Sequence, residues 1–158
     1  MHPTALDFTS QLRDTYGFEA TVQEFPEGTK TADDAAAAIG CDVAQIVKSI
    51  VMRVGDETVL VLTSGANRVD ETKLAAEFDI DPSTVRSANA TEVKDATGWS
   101  IGGVPPTCHA TEFPVLADPT FESFEEIWAA AGTPETVFKL TPADLYSLAN
   151  PRVVDVFE

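Results

Sequence analysis

The stretch that decides the fold is Ile46-Val47-Lys48-Ser49-Ile50-Val51-Met52-Arg53-Val54, which continues after Gly55-Asp56-Glu57 with Thr58-Val59-Leu60-Val61-Leu62-Thr63. Both runs are rich in Val, Ile and Leu, which favour β-strands. Two such runs that are separated by a short segment containing glycine are typical of a β-hairpin. We therefore predict two antiparallel strands over residues 46–54 and 58–63.

The flanking segments predict further helices and strands. Thr31 and Thr141 are suited to cap the start of a helix, and Gly17 and Gly40 are suited to end one. One helix is expected between Thr31 and Gly40, and a turn at Pro26-Glu27-Gly28. The other helices are predicted over residues 4–16, 67–78, 89–96 and 142–149, and the other strands over residues 20–25, 113–117, 124–129, 136–140 and 152–157.

This order of elements predicts the fold class, because hairpins outnumber β-α-β units in it. We predict an α+β fold that forms a single domain over residues 1–158. Its sheet is expected to be mixed, mostly antiparallel and curled like a barrel, with helices around it. The chain has 158 residues, of which 44% are hydrophobic, which suffices for one continuous core.

Composition excludes several classes of protein. No window approaches eighteen consecutive apolar residues, and Met1-His2-Pro3-Thr4 does not resemble a secretory signal, so we expect a cytoplasmic protein without membrane association. Cys41 and Cys108 are too few for a disulfide framework, and we expect both to stay reduced. With His2 and His109 as the only histidines, the chain does not supply four clustered zinc ligands, and we predict no metal site.

The charge of the chain limits the choice of partner. There are 26 acidic against 10 basic residues, which gives a net charge of −16, and the acids are spread along the sequence. This pattern suits a protein that stays soluble in strong brine, and we expect a halophilic source. Because phosphate binding normally depends on basic patches, we expect no DNA partner. Recognition of the end group of an RNA is compatible with this charge, since the Debye length is only about 3 Å in molar salt.

Two motifs that resemble hydrolase signatures fail on their context. Gly98-Trp99-Ser100-Ile101-Gly102 matches G-x-S-x-G, but Pro105-Pro106 excludes the helix that must follow a nucleophilic serine. Cys108 and His109 are neighbours, and adjacent side chains of an extended segment point to opposite sides. We therefore do not expect a catalytic pair at either place.

Three groups of residues together resemble the YbaK family, also called the prolyl-tRNA-synthetase-associated editing domains. The first is Thr31-Ala32-Asp33-Asp34-Ala35-Ala36 with Gly40 and Ile46 to Ile50, the second is Gly65, Asn67-Arg68-Val69-Asp70 and Lys73, and the third is Gly98, Ile101-Gly102-Gly103-Val104-Pro105-Pro106, His109 and Asp118. The resemblance extends over nearly the whole chain. It implies a free-standing deacylase that hydrolyses the ester between a wrong amino acid and the 3′-terminal adenosine of tRNA, without a metal or organic cofactor.

The resemblance also implies the site. Lys48 matches the signature lysine of the family, and the loop from Gly102 to Pro106, which includes Val104 and Pro105, matches the segment that holds the scissile ester. The residues themselves agree, because a lysine inside an apolar strand is costly unless it has a partner or a task. The alternative is a lysine that only extends its ammonium to solvent at a strand end.

Gly102-Gly103 permits close backbone approach, and we expect its free N–H groups to face the ester oxygen. The alternative is a plain tight turn.

Other residues are predicted at the edge of the site. Asn67, Arg68 and Lys73 are expected to contact the nucleotide, the alternative being a helix cap with surface charges. His109 is expected to orient the loop, Asp118 to cap or brace the last strands beside the substrate, and Cys108 to narrow the pocket. Without a believable triad, we expect water or a group of the substrate itself to attack the ester.

Two other functions stay open at this point. One is a non-catalytic module of the same fold that binds tRNA ends or a synthetase, and the other is a small-molecule hydrolase that uses Ser100.

Overall fold

The predicted hairpin is present and lies in the middle of a larger sheet. The computed structural model describes residues 2–25 and 31–158, so the turn predicted at Pro26-Glu27-Gly28 lies outside the described residues. In chain order the strands are β1 (Val22–Glu24), β2 (Ile46–Val54), β3 (Glu57–Ser64), β4 (Val85–Ser87), β5 (Val115–Ala117), β6 (Ile127–Ala130), β7 (Thr136–Leu140) and β8 (Arg152–Val153). Strands β2 and β3 pair antiparallel along almost their full length.

The eight strands of the described residues form one mixed sheet in the order β1-β7-β6-β2-β3-β5-β8, with β4 paired to β2. Four pairings are antiparallel, and β2–β6, β3–β5 and β5–β8 are parallel. The prediction of a mixed sheet with helices is confirmed. The expectation of a barrel is wrong, because β1 and β8 each pair with a single neighbour within the described residues and the sheet stays open.

Strand β2 has one continuous neighbour and one interrupted neighbour. Its first edge is covered by β3, whereas on the other edge β6 pairs with Ile46 and Val47, and β4 pairs only from Met52 onward. Within the described residues, 48–50 therefore pair with β3 alone. This interruption creates an opening in the sheet, and the site described below lies there.

The helices are α1 (Pro3–Tyr16), α2 (Ala32–Ile39), α3 (Glu71–Glu77), α4 (Ala90–Thr97) and α5 (Pro142–Ala149). The predicted caps are confirmed, since Thr31 accepts the Asp34 N–H and Thr141 accepts the Asp144 N–H. Helix α3 is shorter than predicted because Asp70 caps it, accepting the N–H groups of Thr72 and Lys73. Residues 67–69 consequently belong to the connection that leads from β3 to α3.

The core fixes the loop that follows α4. Phe8 of α1 packs edge-on against Trp99, with ring centroids 5.8 Å apart, and against Phe138 at 5.2 Å. The Trp99 indole N–H donates to the Cys108 carbonyl over 2.9 Å. Burial of these large rings thus holds both ends of residues 99–108 against the sheet.

In the described part of the chain, we find no helix with the length and apolar character that crossing a bilayer requires.

Candidate functional site

A cavity of about 560 Å³ lies at the opening beside β2. Its walls come from the start of α2, the β2 strand, the loop after α4 and the β6–β7 hairpin. The lining residues are Thr31, Ala32, Asp33, Ala35, Ile46, Val47, Lys48, Ser49, Ile50, Val51, Gly65, Ser87, Ala88, Val93, Ile101, Gly102, Val104, Trp128, Ala130, Pro134, Thr136 and Val137. The cavity is therefore mainly apolar, with a few polar groups on its walls.

Among the described residues that line the cavity, Lys48 is the one with a positively charged side chain. Its side chain is half-buried, and its ammonium donates to the Asn67 carbonyl over 3.0 Å. Burial lowers the pKa of Lys48, and the nearby positive charge of Arg68 lowers it further, whereas Asp33 and Asp118 act in the opposite direction. Lys48 is thus a partly desolvated donor that the Asn67 carbonyl positions, and it does not extend freely into solvent.

A buried carboxylate holds the backbone that receives Lys48. Asp118 is 1% exposed, and it accepts the Ser64 N–H over 3.1 Å, the Asn67 amide over 2.8 Å and the Thr120 N–H over 2.9 Å. Its oxygens are therefore engaged inside the protein, and it does not line the cavity. Asp118 braces Asn67, and Asn67 in turn positions the ammonium of Lys48.

The loop after α4 brings Gly102 to the same cavity as Lys48. Gly102 has φ +86°, a left-handed conformation that favours glycine, and its N–H forms no hydrogen bond within the described part of the chain. The expectation of a free N–H on Gly103 is wrong, because that group donates to the Ser100 carbonyl over 3.0 Å in a tight turn. Gly103 instead allows a close approach, since a Cβ there would lie 2.7 Å from the Thr133 Cα.

The rest of the loop supports this arrangement. Val104 is buried and lines the cavity, whereas Pro105 and Pro106 are buried but do not line it. His109 bonds to the Pro105 carbonyl over 2.7 Å, so its Nε2 carries the hydrogen, and its ring lies 5.0 Å from that of Phe113. Burial lowers the pKa of His109. The histidine is thereby placed to hold the proline end of the loop from outside the cavity.

The two alternative nucleophiles, Ser100 and Cys108, do not line the cavity. Ser100 is exposed, and no helix follows it in the loop, so the G-x-S-x-G elbow is absent. Cys108 does not line the cavity, and the expectation that it narrows the pocket is wrong. Burial also raises the pKa of the Cys108 thiol to about 11, which keeps it protonated at neutral pH.

Arg68 and Lys73, which were predicted to contact the nucleotide, lie in different places. Arg68 is exposed and acts electrostatically on Lys48. Lys73 points to the C-terminal segment, where its ammonium donates to the Phe157 carbonyl over 2.6 Å and lies 3.7 Å from the Asp155 carboxylate. The structure therefore does not bring Lys73 to the cavity.

Asp33 and Ser49 are polar cavity residues that were not predicted as site residues. Asp33 lies in the first turn of α2, where an acidic residue is ordinary because it complements the helix dipole. Ser49 has a buried hydroxyl without a hydrogen-bond partner in the described structure. In the sequence, its position directly after Lys48 in an apolar strand was the feature that could have indicated a site residue. Within residues 2–25 and 31–158, no three His, Cys, Asp or Glu side chains converge as metal ligands do.

The backbone of Ser49 also faces the opening. The Val51 carbonyl accepts the Ala88 N–H on the β4 side of β2. Because backbone polar groups alternate along a strand, those of Ser49 point to the same side, where neither β6 nor β4 pairs with them. The cavity wall thus offers the backbone N–H and carbonyl of Ser49, next to its buried hydroxyl.

Comparison with known proteins gives a consistent assignment. A family model described as the aminoacyl-tRNA editing domain matches residues 26–148. The uncharacterized protein YwhH of Bacillus subtilis (strain 168) is 31% identical over 140 residues, which cover 87% of each chain. A proline–tRNA ligase of Lactobacillus gasseri is 34% identical over 118 residues, which cover 75% of this chain and 20% of the ligase.

A solved structure agrees with these matches. It is a crystal structure described as that of a candidate trans-editing enzyme for prolyl tRNA synthetase, with a TM-score of 0.92 and 37% identity. The match covers 100% of this chain and 99% of that one. The resemblance predicted from the Lys48 and Gly102 motifs is confirmed at the level of the family. The chain belongs to the family of aminoacyl-tRNA editing domains.

Proposed function

We propose that this protein is a trans-acting deacylase that hydrolyses the ester of mischarged tRNA in the cytoplasm. The observation that carries the proposal is that Lys48 and Gly102 line one cavity of about 560 Å³. Membership of the editing-domain family supports the reaction class. The relatives that are named for proline–tRNA ligase or its trans-editing make tRNA(Pro) the first carrier to test.

The proposed mechanism uses positioning and polarisation. The 3′-terminal adenosine enters with its aminoacyl ester between Lys48 and the loop at Gly102. The Lys48 ammonium and the unpaired Gly102 N–H donate to oxygens that gain negative charge when the carbonyl carbon is attacked. Water, or a hydroxyl or thiol of the substrate, forms the new bond to that carbon. The ester C–O bond then breaks, and the proton that the nucleophile loses is taken up by the leaving ribose oxygen.

The role of the apolar walls is to sort substrates by size. Small side chains differ by only about 1–3 kcal/mol in binding, so a synthetase cannot reject all of them, and a second hydrolytic pocket removes the errors. Val47, Val104 and Val137 supply part of that surface in this cavity. Their size and position would set which amino acid is removed.

The acidic surface is compatible with this substrate if contact is confined to the end of the tRNA. A net charge of −16 opposes a phosphate backbone at low ionic strength. In molar salt the Debye length is about 3 Å, and this repulsion is screened. We therefore propose that deacylation is faster at molar KCl than at 0.1 M KCl.

The test is deacylation of tRNA(Pro) charged with alanine, serine, cysteine or proline. We expect hydrolysis of at least one wrong ester and sparing of the prolyl ester. Lys48→Ala should lower the rate about 100- to 1,000-fold, as loss of an oxyanion donor does. Lys73→Ala is the matched control, because its ammonium contacts Phe157 outside the cavity, and it should retain activity.

Two outcomes would contradict the proposal. If Lys48→Ala, with an unchanged circular dichroism spectrum, keeps the full rate, the role of Lys48 is refuted. If the unaltered protein binds the charged tRNAs but hydrolyses none of them, the protein is a binding module and not a deacylase.

A further inference from the structure

The described lining of the cavity carries one positively charged and one negatively charged side chain. Of its described lining residues, only Lys48 and Asp33 carry titratable side chains. The other polar members are uncharged hydroxyls, such as those of Ser49 and Thr136, and the rest of the wall is apolar. A ligand that fills the cavity therefore meets one cation and one carboxylate.

The Asp33 carboxylate has no partner within the described part of the chain. Neither a hydrogen bond nor an ion pair engages it there, and the cap of α2 is supplied by Thr31, which accepts the Asp34 N–H. Asp118 differs in this respect, since three internal donors occupy its oxygens. Asp33 is also close enough to act electrostatically on Lys48. It is therefore an available anion on the wall that Lys48 shares.

The proposed substrate has a matching pair of groups. An aminoacyl ester carries an ammonium on the carbon next to its carbonyl, so a cation and an electron-rich oxygen lie a few bonds apart. If Lys48 donates to the ester oxygens, the ammonium lies in the same cavity and needs an acceptor there. A carboxylate is the strongest such acceptor, because hydrogen bonds between two ionised groups exceed neutral ones in strength.

We propose that Asp33 binds the α-ammonium of the aminoacyl ester and makes the site selective for esters with a free amino group. The inference rests on the proposed function and adds a specificity residue to it. The Ser49 carbonyl, which faces the opening, is a second acceptor for the same ammonium. Esters whose nitrogen is acylated, such as those of peptidyl-tRNA, would lose the charge and be spared.

The test compares each ester with a counterpart that lacks only the amino group. The counterparts are propionyl-tRNA for alanyl-tRNA, 3-hydroxypropionyl-tRNA for seryl-tRNA and 3-mercaptopropionyl-tRNA for cysteinyl-tRNA. Each rate is divided by the spontaneous hydrolysis rate of the same ester, because the ammonium itself activates the carbonyl. For the ester hydrolysed fastest, we expect the unaltered protein to prefer the amino form by about tenfold or more.

Asp33→Asn should remove this preference. We expect the rate for the amino ester to fall about tenfold and the rate for the deaminated ester to stay within twofold, so that their ratio approaches one. Asp95→Asn is the matched control. Asp95 is an exposed helical aspartate outside the cavity, without a hydrogen bond or ion pair in the described structure, and its replacement should leave the ratio unchanged.

The outcomes separate the inference from the function on which it rests. If Asp33→Asn lowers both rates equally, Asp33 acts only through Lys48 or through the fold, and the inference is overturned while deacylation stands. The same conclusion follows if the ratio is unchanged in Asp33→Asn. If the unaltered protein hydrolyses none of the amino esters, the proposed function fails and the inference fails with it.

Discussion

Replacement of Asp118 by alanine tests whether the hydrogen bonds that this buried carboxylate accepts are a major source of stability. The carboxylate is 1% exposed and accepts three hydrogen bonds of 2.8–3.1 Å. A buried donor left without an acceptor costs about 1–3 kcal/mol, and hydrogen bonds to charged groups contribute about 1.5–3 kcal/mol each. The donors on Asn67 and Thr120 are half-exposed and can turn to water, whereas the Ser64 N–H is fully buried. We therefore expect a loss of about 3–5 kcal/mol in the free energy of unfolding.

The measurement is urea unfolding at fixed salt, together with thermal melting. For a chain of this length, the expected loss lowers Tm by roughly 6–20 °C. The control is Asp81→Ala, because Asp81 also precedes a proline and accepts an N–H over 2.9 Å, from Ser83, but is exposed. Its loss should be clearly smaller. Equal losses in the two variants would refute the reasoning that burial, and not capping alone, makes Asp118 important.

Two further predictions concern the loop and the surface. Gly103→Ala should lower the free energy of unfolding by about 1–3 kcal/mol, because the new Cβ would lie 2.7–2.9 Å from backbone atoms of Thr133 and Gly132; an unchanged urea midpoint would contradict this packing. The Arg86 guanidinium and the Asn89 N–H lower the pKa of Glu92 from about 4.5 to about 2, so the stability from this group is present above pH 4.5 and is lost as the pH falls toward 2. Glu92→Gln should thus be less stable than the unaltered protein at pH 6, and the gap in urea midpoint should narrow by pH 2.5; a constant gap would exclude this linkage.

Much of the fold was predictable because its signals are local. The β2–β3 hairpin follows from two runs of β-branched and aliphatic residues, and β7 and α5 have the predicted bounds. Strand β4 was missed because it has only three residues, two of them exposed, and pairs with a distant part of the chain. Local sequence patterns also could not predict that the sheet is open, because this depends on which strands pair with each other.

The site was predictable in part for a similar reason. Lys48 stands out in an apolar strand, and Gly102 stands out as part of a Gly-Gly pair, at a position where φ is +86° and glycine is favoured. The engagement of the Gly103 N–H by Ser100 and the distance of Cys108 from the cavity depend on the path of the loop, which the sequence pattern does not specify. Asp33 was hidden because an acid in the first turn of a helix already has a structural explanation.

The interrupted edge of β2 has a consequence for how the protein avoids aggregation. Exposed strand edges are templates on which other chains can add a strand. Here the unpaired groups of Ser49 face the cavity between α2 and the loop at Gly102, and β6 and β4 flank them on the same edge of β2. The protein thereby keeps one unpaired backbone N–H and carbonyl in the middle of its longest described strand, without leaving a continuous free edge along β2 on which another chain could add a strand.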